Sequence, residues 1–469
     1  MIRVSSRIAW AALAALLLAA VPAHAEREPR SDLDRDFSKT LTVKPGQRLD
    51  IEHSQGAVRI GTHKLPEIRV KAHISVSSSD AEEAQKFGEG IAISVEDTGA
   101  AVVVRTRYPE KTWHFSGTSH ISFAVDYDIV VPETMPVTAR NKFGDVTIDG
   151  VKADTNVSNA NGKVAVRDGK GMSRIDASFG AIELVHNAGP ADVTGANGSI
   201  VVAEIGGPVV IRNRFGSITA RKIQGAVQIS GANGSVETAE VTGNLTITNS
   251  FGSVVASGVS GDTSVTNNNG AVTVDGVSGS AELEGSFGKI RATKIKKGLR
   301  VRAQNGEVSA ADIGGATNIR TSFGLAEADR IQGDLTVENG NGAVRASAIQ
   351  GAANIRTSFS QVLVDGVGGR VDVDNSNGSI EVRVAAPKPG ACAPISLKNS
   401  FGPIRVFLPE GAGYTVGART SFGKIRSELP LTISGSPSTE ILEGRIGDGK
   451  CPLTITDSNG NIEIQRATK

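Results

Sequence analysis

The sequence has few aromatic side chains and almost no sulfur. Aromatics make up 4% of its 469 residues, with 2 tryptophans, 3 tyrosines and 2 cysteines. So few cysteines exclude a disulfide-dense scaffold and a thiolate metal cluster. Net charge is nearly absent as well, with 50 Lys and Arg against 49 Asp and Glu. That balance gives no support to a nucleic-acid or anionic-membrane partner. Long hydrophobic runs are missing apart from Ile8 to Val21, whose 14 residues are too few to span a bilayer as a helix. Proline is not enriched at 17 residues, whereas glycine is abundant at 55. With β-branched residues recurring at period two, this reads as a glycine-punctuated β protein and not a disordered one.

The apolar run follows Arg3 and Arg7 and precedes Pro22 and Ala23-His24-Ala25. A charged start, a short apolar stretch and a small-x-small site predict a signal peptide over residues 1–25, cleaved after Ala25. Removing Arg3 and Arg7 leaves 48 basic against 49 acidic residues in the mature chain, a formal charge of −1. The expectation is an exported protein, periplasmic or at the cell surface or secreted. No cysteine follows the cleavage site, so a lipid anchor is not expected, nor is an integral membrane segment in the mature chain. In an oxidising compartment Cys392 and Cys451 are candidates for one disulfide, with two free buried thiols as the alternative. Residues 26–36 are charged and interrupted by proline, and read as a flexible lead.

Periodicity dominates what remains. Phenylalanine recurs at Phe143, Phe179, Phe215, Phe251, Phe287, Phe323 and Phe359, and glycine follows each except Phe359, where Ser360 stands. Midway fall Asn-Gly pairs at Asn161, Asn197, Asn233, Asn269, Asn305, Asn341 and Asn377. The unit is therefore 18 residues with alternating punctuation. Counting Phe215 as position one, apolar residues fall at Ile218, Ala220, Ile223, Val227 and Ile229. This predicts two short strands with one buried face. Asn-Gly marks one turn and a glycine near position eleven, such as Gly225 or Gly261, marks the other. One such coil cannot bury its apolar face alone, but stacked coils can. The prediction is an all-β, right-handed parallel β-solenoid (β-helix), a rod of roughly 80 Å at one coil per 4.8 Å. Both ladders are expected to be structural. The rings are expected to tuck into a corner that the Asn-Gly asparagines close by hydrogen bonding; an exposed ring stripe is the alternative.

Residues 143–384 form the regular solenoid. Residues 37–142 break the strict period but still alternate, and are expected to be a β-rich N-terminal cap with the first coils. Within them His53-Ser54-Gln55-Gly56-Ala57-Val58 reads as a degenerate coil, and Ser79 or Asp80 is expected to cap a helix through Lys86. Residues 385–469 are expected to hold irregular C-terminal coils and a cap. There Ala385–Pro394 reads as a loop, and a Cys392–Cys451 bridge would tie it to the last coil.

The layout resembles the bacterial putative-adhesin family of domains of unknown function, relatives of the head-domain type with a single-stranded β-helix. The resemblance rests on Leu49-Asp50-Ile51 before Gly56-Ala57-Val58-Arg59-Ile60, on Tyr127-Asp128-Ile129-Val130-Val131-Pro132, and on the Asn-Gly-x-Val and Phe-Gly-x-Ile coils. It implies an exported, adhesin-like β-solenoid and supplies no catalytic residues. Unlike autotransporter adhesins, the chain shows no C-terminal membrane barrel.

Signals for chemistry are sparse. His53, His63, His73, His114 and His120 lie in the cap and His186 in the coils, without metal-ligand spacing. No nucleophile elbow, phosphate loop, zinc-protease motif or glycine-rich calcium repeat occurs, so neither cofactor nor metal is expected. The function expected is a non-catalytic binding or structural rod in the cell envelope, with an unknown protein or polysaccharide of the envelope or a host surface as partner. Outward residues such as Thr219, Arg221 and Lys222, or Ser253, Val255 and Ser257, vary as a binding surface allows. The alternative is a polysaccharide lyase or hydrolase built on Asp145, Asp149, Asp275 or Asp365. A third possibility is head-to-tail stacking through exposed solenoid ends, which the caps would prevent.

Overall fold

A computed structural model describes residues 33–78, 80–109, 121–385, 392–434 and 438–467. The predicted signal peptide, most of the lead, Ser79, His114, His120 and the middle of the Ala385–Pro394 loop lie outside the described residues. The chain forms a parallel β-solenoid whose coils each give one strand to either of two long sheets. In the coil beginning at Val209, the first strand is Val209–Phe215 and the second Ile218–Ile223. Neighbouring coils pair in parallel with an 18-residue offset, as in Val209↔Val227 and Ile218↔Val236. The sequence period is thus the circumference of one coil. Val209 and Ile211 from one sheet and Ile218, Ala220 and Ile223 from the other are buried, and equivalent residues stack into one continuous aliphatic core.

The turn between the strands explains the glycine after each Phe or Asn. Gly216 has φ +113, and a Cβ there would lie 2.3 Å from the carbonyl oxygen of Gly198, its counterpart one coil earlier. Ser360 alone takes this place among the regular coils, at φ 92. The strand pairing around it stops at Asn339↔Thr357 and does not extend to Asn341 and Phe359, although equivalent pairs such as Phe323↔Asn341 form elsewhere. Ser360→Gly is therefore expected to stabilise the rod by about 1 kcal/mol, the usual size of left-handed strain in a residue bearing a Cβ. Thermal unfolding checks this, and an unchanged or lower midpoint would show that the strain is not there.

A second turn feature escaped the sequence reading. At position eight the backbone is left-handed even without glycine: Asp168, His186, Glu204, Lys222 and Glu240 all have φ between 55 and 57. The second strand bends there, which returns Ile223 and its equivalents to the core one residue later than strict alternation allows. Gly258, Gly276 and Gly366 at the same position were the available signal.

Both ends are capped by antiparallel strands. At the N-terminal end Leu33–Thr42 pairs with Glu67–Ser77, which pairs with Ser122–Pro132. The other sheet ends on Ala92–Asp97, antiparallel to Ala101–Arg107. The lead is thus shorter than expected, because residues 33–36 are already in the capping strand. Half-buried Leu33, Arg35 and Phe37 alternate with exposed Asp34 and Asp36, which suits an edge strand with one packed face. The helix forms as expected but runs further, Ala81–Gly90, with the Asp80 carboxylate accepting the amides of Glu82 and Glu83. Its Phe87 packs on Phe123 at 4.9 Å between ring centroids.

The order of coils in space departs from the order in sequence. The strand Cys451–Asn459 pairs on one side with Ile395–Phe401 and on the other with Tyr414–Phe422. Its partner Ile462–Arg466 lies likewise between Ile404–Leu408 and Ile425–Ser427. The last coil of the sequence is therefore the second from the end of the rod, and not its terminus as the spacing suggested. The outermost coil is covered by Ile441–Ile446, antiparallel to Tyr414–Phe422. The N-terminal end repeats the device, with Arg48–Glu52 between Ala101–Arg107 and Val137–Phe143. Cys392 and Cys451 are joined by a disulfide with their Cα atoms 5.5 Å apart. It fastens the inserted coil to the loop preceding Ile395–Phe401.

Candidate functional site

The two ladders occupy one corner of the rod, where the first strand of each coil ends. Register places Asn161 beside Phe179, Phe179 beside Asn197 and Asn197 beside Phe215, so rings and amides alternate at each coil. The expectation that the rings tuck inward is not met. Phe143, Phe179, Phe215, Phe251, Phe287, Phe323, Phe359, Phe401 and Phe422 are 46–76% exposed. Nor do the Asn-Gly asparagines close the corner from inside; Asn161 and Asn197 are half-buried, and each donates to a backbone oxygen of the preceding coil at 3.4 Å.

The inner slot belongs to the residue two places earlier. Asn141, Asn159, Asn213, Asn249, Asn267, Asn339, Asn375 and Asn399 are buried there. Asn213 donates from Nδ2 to the turn carbonyls of Gly198 at 2.9 Å and Gly216 at 3.2 Å. This satisfies the corner's backbone, but it is not what turns the rings outward, since Phe179 and Phe287 are as exposed behind Ala177 and Gly285 as Phe215 is behind Asn213. The recurring Asn-x-Phe-Gly and Asn-x-Asn-Gly strings were the signal for the inner asparagine. In the degenerate coil His53 takes the inner slot and Gln55 stands next to Phe143 in the ladder. Burial pulls His53 down to about 4, and its ring meets Tyr127 edge-on at 5.0 Å.

Beside this corner, the outer face of the first sheet carries shallow depressions. One of about 810 Å³ lies at the strand starts, among Thr246, Ser264, Glu282, Arg300 and Thr336. Another of about 590 Å³ runs along the ladder between Arg302, Arg320 and Arg356 on one side and Ser322, Gly340 and Ser358 on the other. Arg302 is paired with Glu284 at 2.5 Å and Arg320 with Glu338 at 3.1 Å. Arg356 makes no ion pair among the described residues.

The four candidate acids do not come together. Asp145 accepts the backbone amide of Lys163 at 2.7 Å, tying one coil to the next. Asp262 and Asp334 do the same for Ser280 and Ala352, each at 2.8 Å. Asp275 accepts the Thr293 hydroxyl at 2.6 Å, and Asp365 stands between Ser347 and Arg383 in its sheet. Burial raises Asp149 above the usual carboxylate range. Asp149 and Asp275 are seven coils apart, about 34 Å along the rod, far beyond the roughly 5–9.5 Å of paired glycosidase carboxylates. The bent corner at position eight carries a column of alternating charge. His186 lies 3.5 Å from Asp168 and 2.8 Å from Glu204, and Lys222 lies 3.1 Å from Glu204. Lys222 first, then His186, holds the Glu204 carboxyl below its ordinary range. Of the described cap histidines, His63 bonds to the Glu67 carbonyl at 2.9 Å, and His73 sits between Asp34 and Asp36. These contacts use each histidine singly.

No helix among the described residues is long and apolar enough to cross a membrane. No family model matches the chain, and no curated protein does. Among solved structures, the chain is similar to a putative cell adhesion protein of Clostridium sporogenes at 9% identity and a TM-score of 0.14, over 92% of this chain and 100% of that one.

Proposed function

We propose that this protein is an exported, adhesin-like rod of the cell envelope that binds without catalysis, through the outer face of its first sheet. The observation that carries this reading is the pair of open depressions along that face. They span several coils and are lined by hydroxyls, amides, guanidinium groups and carboxylates, so they suit an extended polar partner lying along the rod. Arg356 offers an uncommitted cation, and the neighbouring Ser322 and Ser358 offer small polar floor. The non-catalytic part is supported by the carboxylates, which stitch coils together or balance arginines. Export is supported by the sequence signals around residues 1–25 and by the disulfide, which belongs to an oxidising compartment.

The test is to incubate the purified protein with a panel of envelope and host polysaccharides and matrix proteins, assaying retention and released reducing or unsaturated ends in the same wells. Retention without released ends is expected, weakened by Arg356→Ser. Released ends would make the protein an enzyme and sink the reading.

A further inference from the structure

The Phe–Asn corner is more regular than the fold requires. Asn and Phe stand in the same backbone setting, and the turn bond is made either way: Gly198 N donates to Phe215 O at 3.0 Å and Gly216 N to Asn233 O at 2.8 Å. Nothing inside the coil selects a ring. A 36-residue duplication would produce the alternation by copying, but the C-terminal end argues against copying alone. There the sequence reads Phe401, Phe422, Asn459, two rings in succession. In space Asn459 pairs with Phe401 on one side and with Phe422 on the other, which restores the alternation. The pattern holds in the assembled ladder even where chain order breaks it.

We infer that the ladder is the contact surface for a second copy of this chain, with two rods lying side by side and their rings interdigitated. A row that alternates large and small at each step is complementary to itself. A two-fold related copy sets each ring over an asparagine of its partner. Rings in one rod are about 9.6 Å apart, so an inserted ring would sit about 4.8 Å from its neighbours along the axis. That lies within the roughly 4.5–7 Å favoured by aromatic pairs. Area supports the same occupant. A phenylalanine buries roughly 200 Å² when covered, so half-exposed rings leave about 100 Å² each and the nine together about 900 Å². Stable complexes bury roughly 800 Å² per partner. The flanks allow close approach, because the residue before the ladder is small in many coils, as at Ser178, Ala196, Ala232, Ser250 and Ser322. Pairing covers the narrower depression that holds Arg356, because that one runs along the ladder. The wide depression at the strand starts lies at the opposite end of a seven-residue strand and stays open, so in the paired rods the binding reading rests on the wide depression alone.

The test replaces Phe215, Phe251 and Phe287 with asparagine, the residue that alternate coils already carry there, so the fold is kept. Light scattering of the purified protein should give twice the chain mass at high micromolar concentration, and the triple variant one chain mass with an unchanged circular dichroism spectrum. Small-angle scattering should show a doubled cross-section at constant length. A wild-type protein of one chain mass, a variant that remains double, or a doubled length from end-to-end stacking would each overturn the inference. A doubled mass without retention on any ligand would sink the binding reading and leave the pairing intact. Retention by a single-mass protein would do the reverse.

Discussion

Ending the chain at Lys450 should unravel the C-terminal end of the rod back to the coil of Ile395. The removed strands supply Leu453, Ile455, Ile462 and Ile464, all fully buried. At roughly 1.5–3 kcal/mol for each buried side chain, they contribute on the order of 10 kcal/mol before entropy is counted. The loss also opens a gap, because Ile395–Phe401 and Tyr414–Phe422 have no pairing with each other. Closing it would stack Phe422 directly on Phe401. The disulfide is lost too; closing a loop of that length contributes about 4 kcal/mol in the chain-entropy model. Cys392→Ser with Cys451→Ser isolates that share. Hydrogen exchange is the measurement: amides of residues 395–427 should lose protection in the truncated chain, while those of 209–350 keep it. Retained protection over 395–427 would mean that the outer coil docks without the insert.

Asp457→Asn should stabilise the same end by about 2 kcal/mol at neutral pH. Asp457 occupies the inner slot that asparagine fills in other coils, and it is 2% exposed. Its Oδ2 has no hydrogen-bond partner among the described residues. Burial pushes the carboxyl up to about 6 from 3.8, against the opposing amides of Asn459 and Ser458. The folded state therefore holds a proton that the unfolded state has released between pH 3.8 and 6. That proton stabilises the fold at the acidic end of the window, and the benefit is lost as pH rises through 6. An amide needs no proton and can donate to the turn carbonyls, as Asn399 does to Gly378 and Gly402. The gap in melting temperature between variant and wild type should be widest near pH 7 and shrink on acidification towards pH 4. A gap that is constant or grows on acidification would refute this account.

Local chemistry made much of the rod legible. The period gave the circumference, the apolar positions gave the core, and Asp80 announced its helix. Two failures have separate causes. Strict alternation put Phe215 on the core side, but the strand ends at Phe215 and the chain turns at Gly216, so Asn213 takes the last inward place. At the C-terminus, spacing gave the number of strands and not their order, because insertion depends on which distant edges compete for a strand. The candidate surface was legible as a period but not as a face. The acids were individually visible, yet only the register shows Asp145 and Asp262 spent on backbone amides of the next coil.

The inserted coil also bears on force. A strand at a free edge peels from one neighbour at a time, bond by bond. Cys451–Asn459 is held on both sides, and Ile462–Arg466 likewise, so tension applied at the C-terminal end must break two ladders at once. The disulfide stops any extraction that reaches Cys451. A rod built this way resists being pulled apart from its tail.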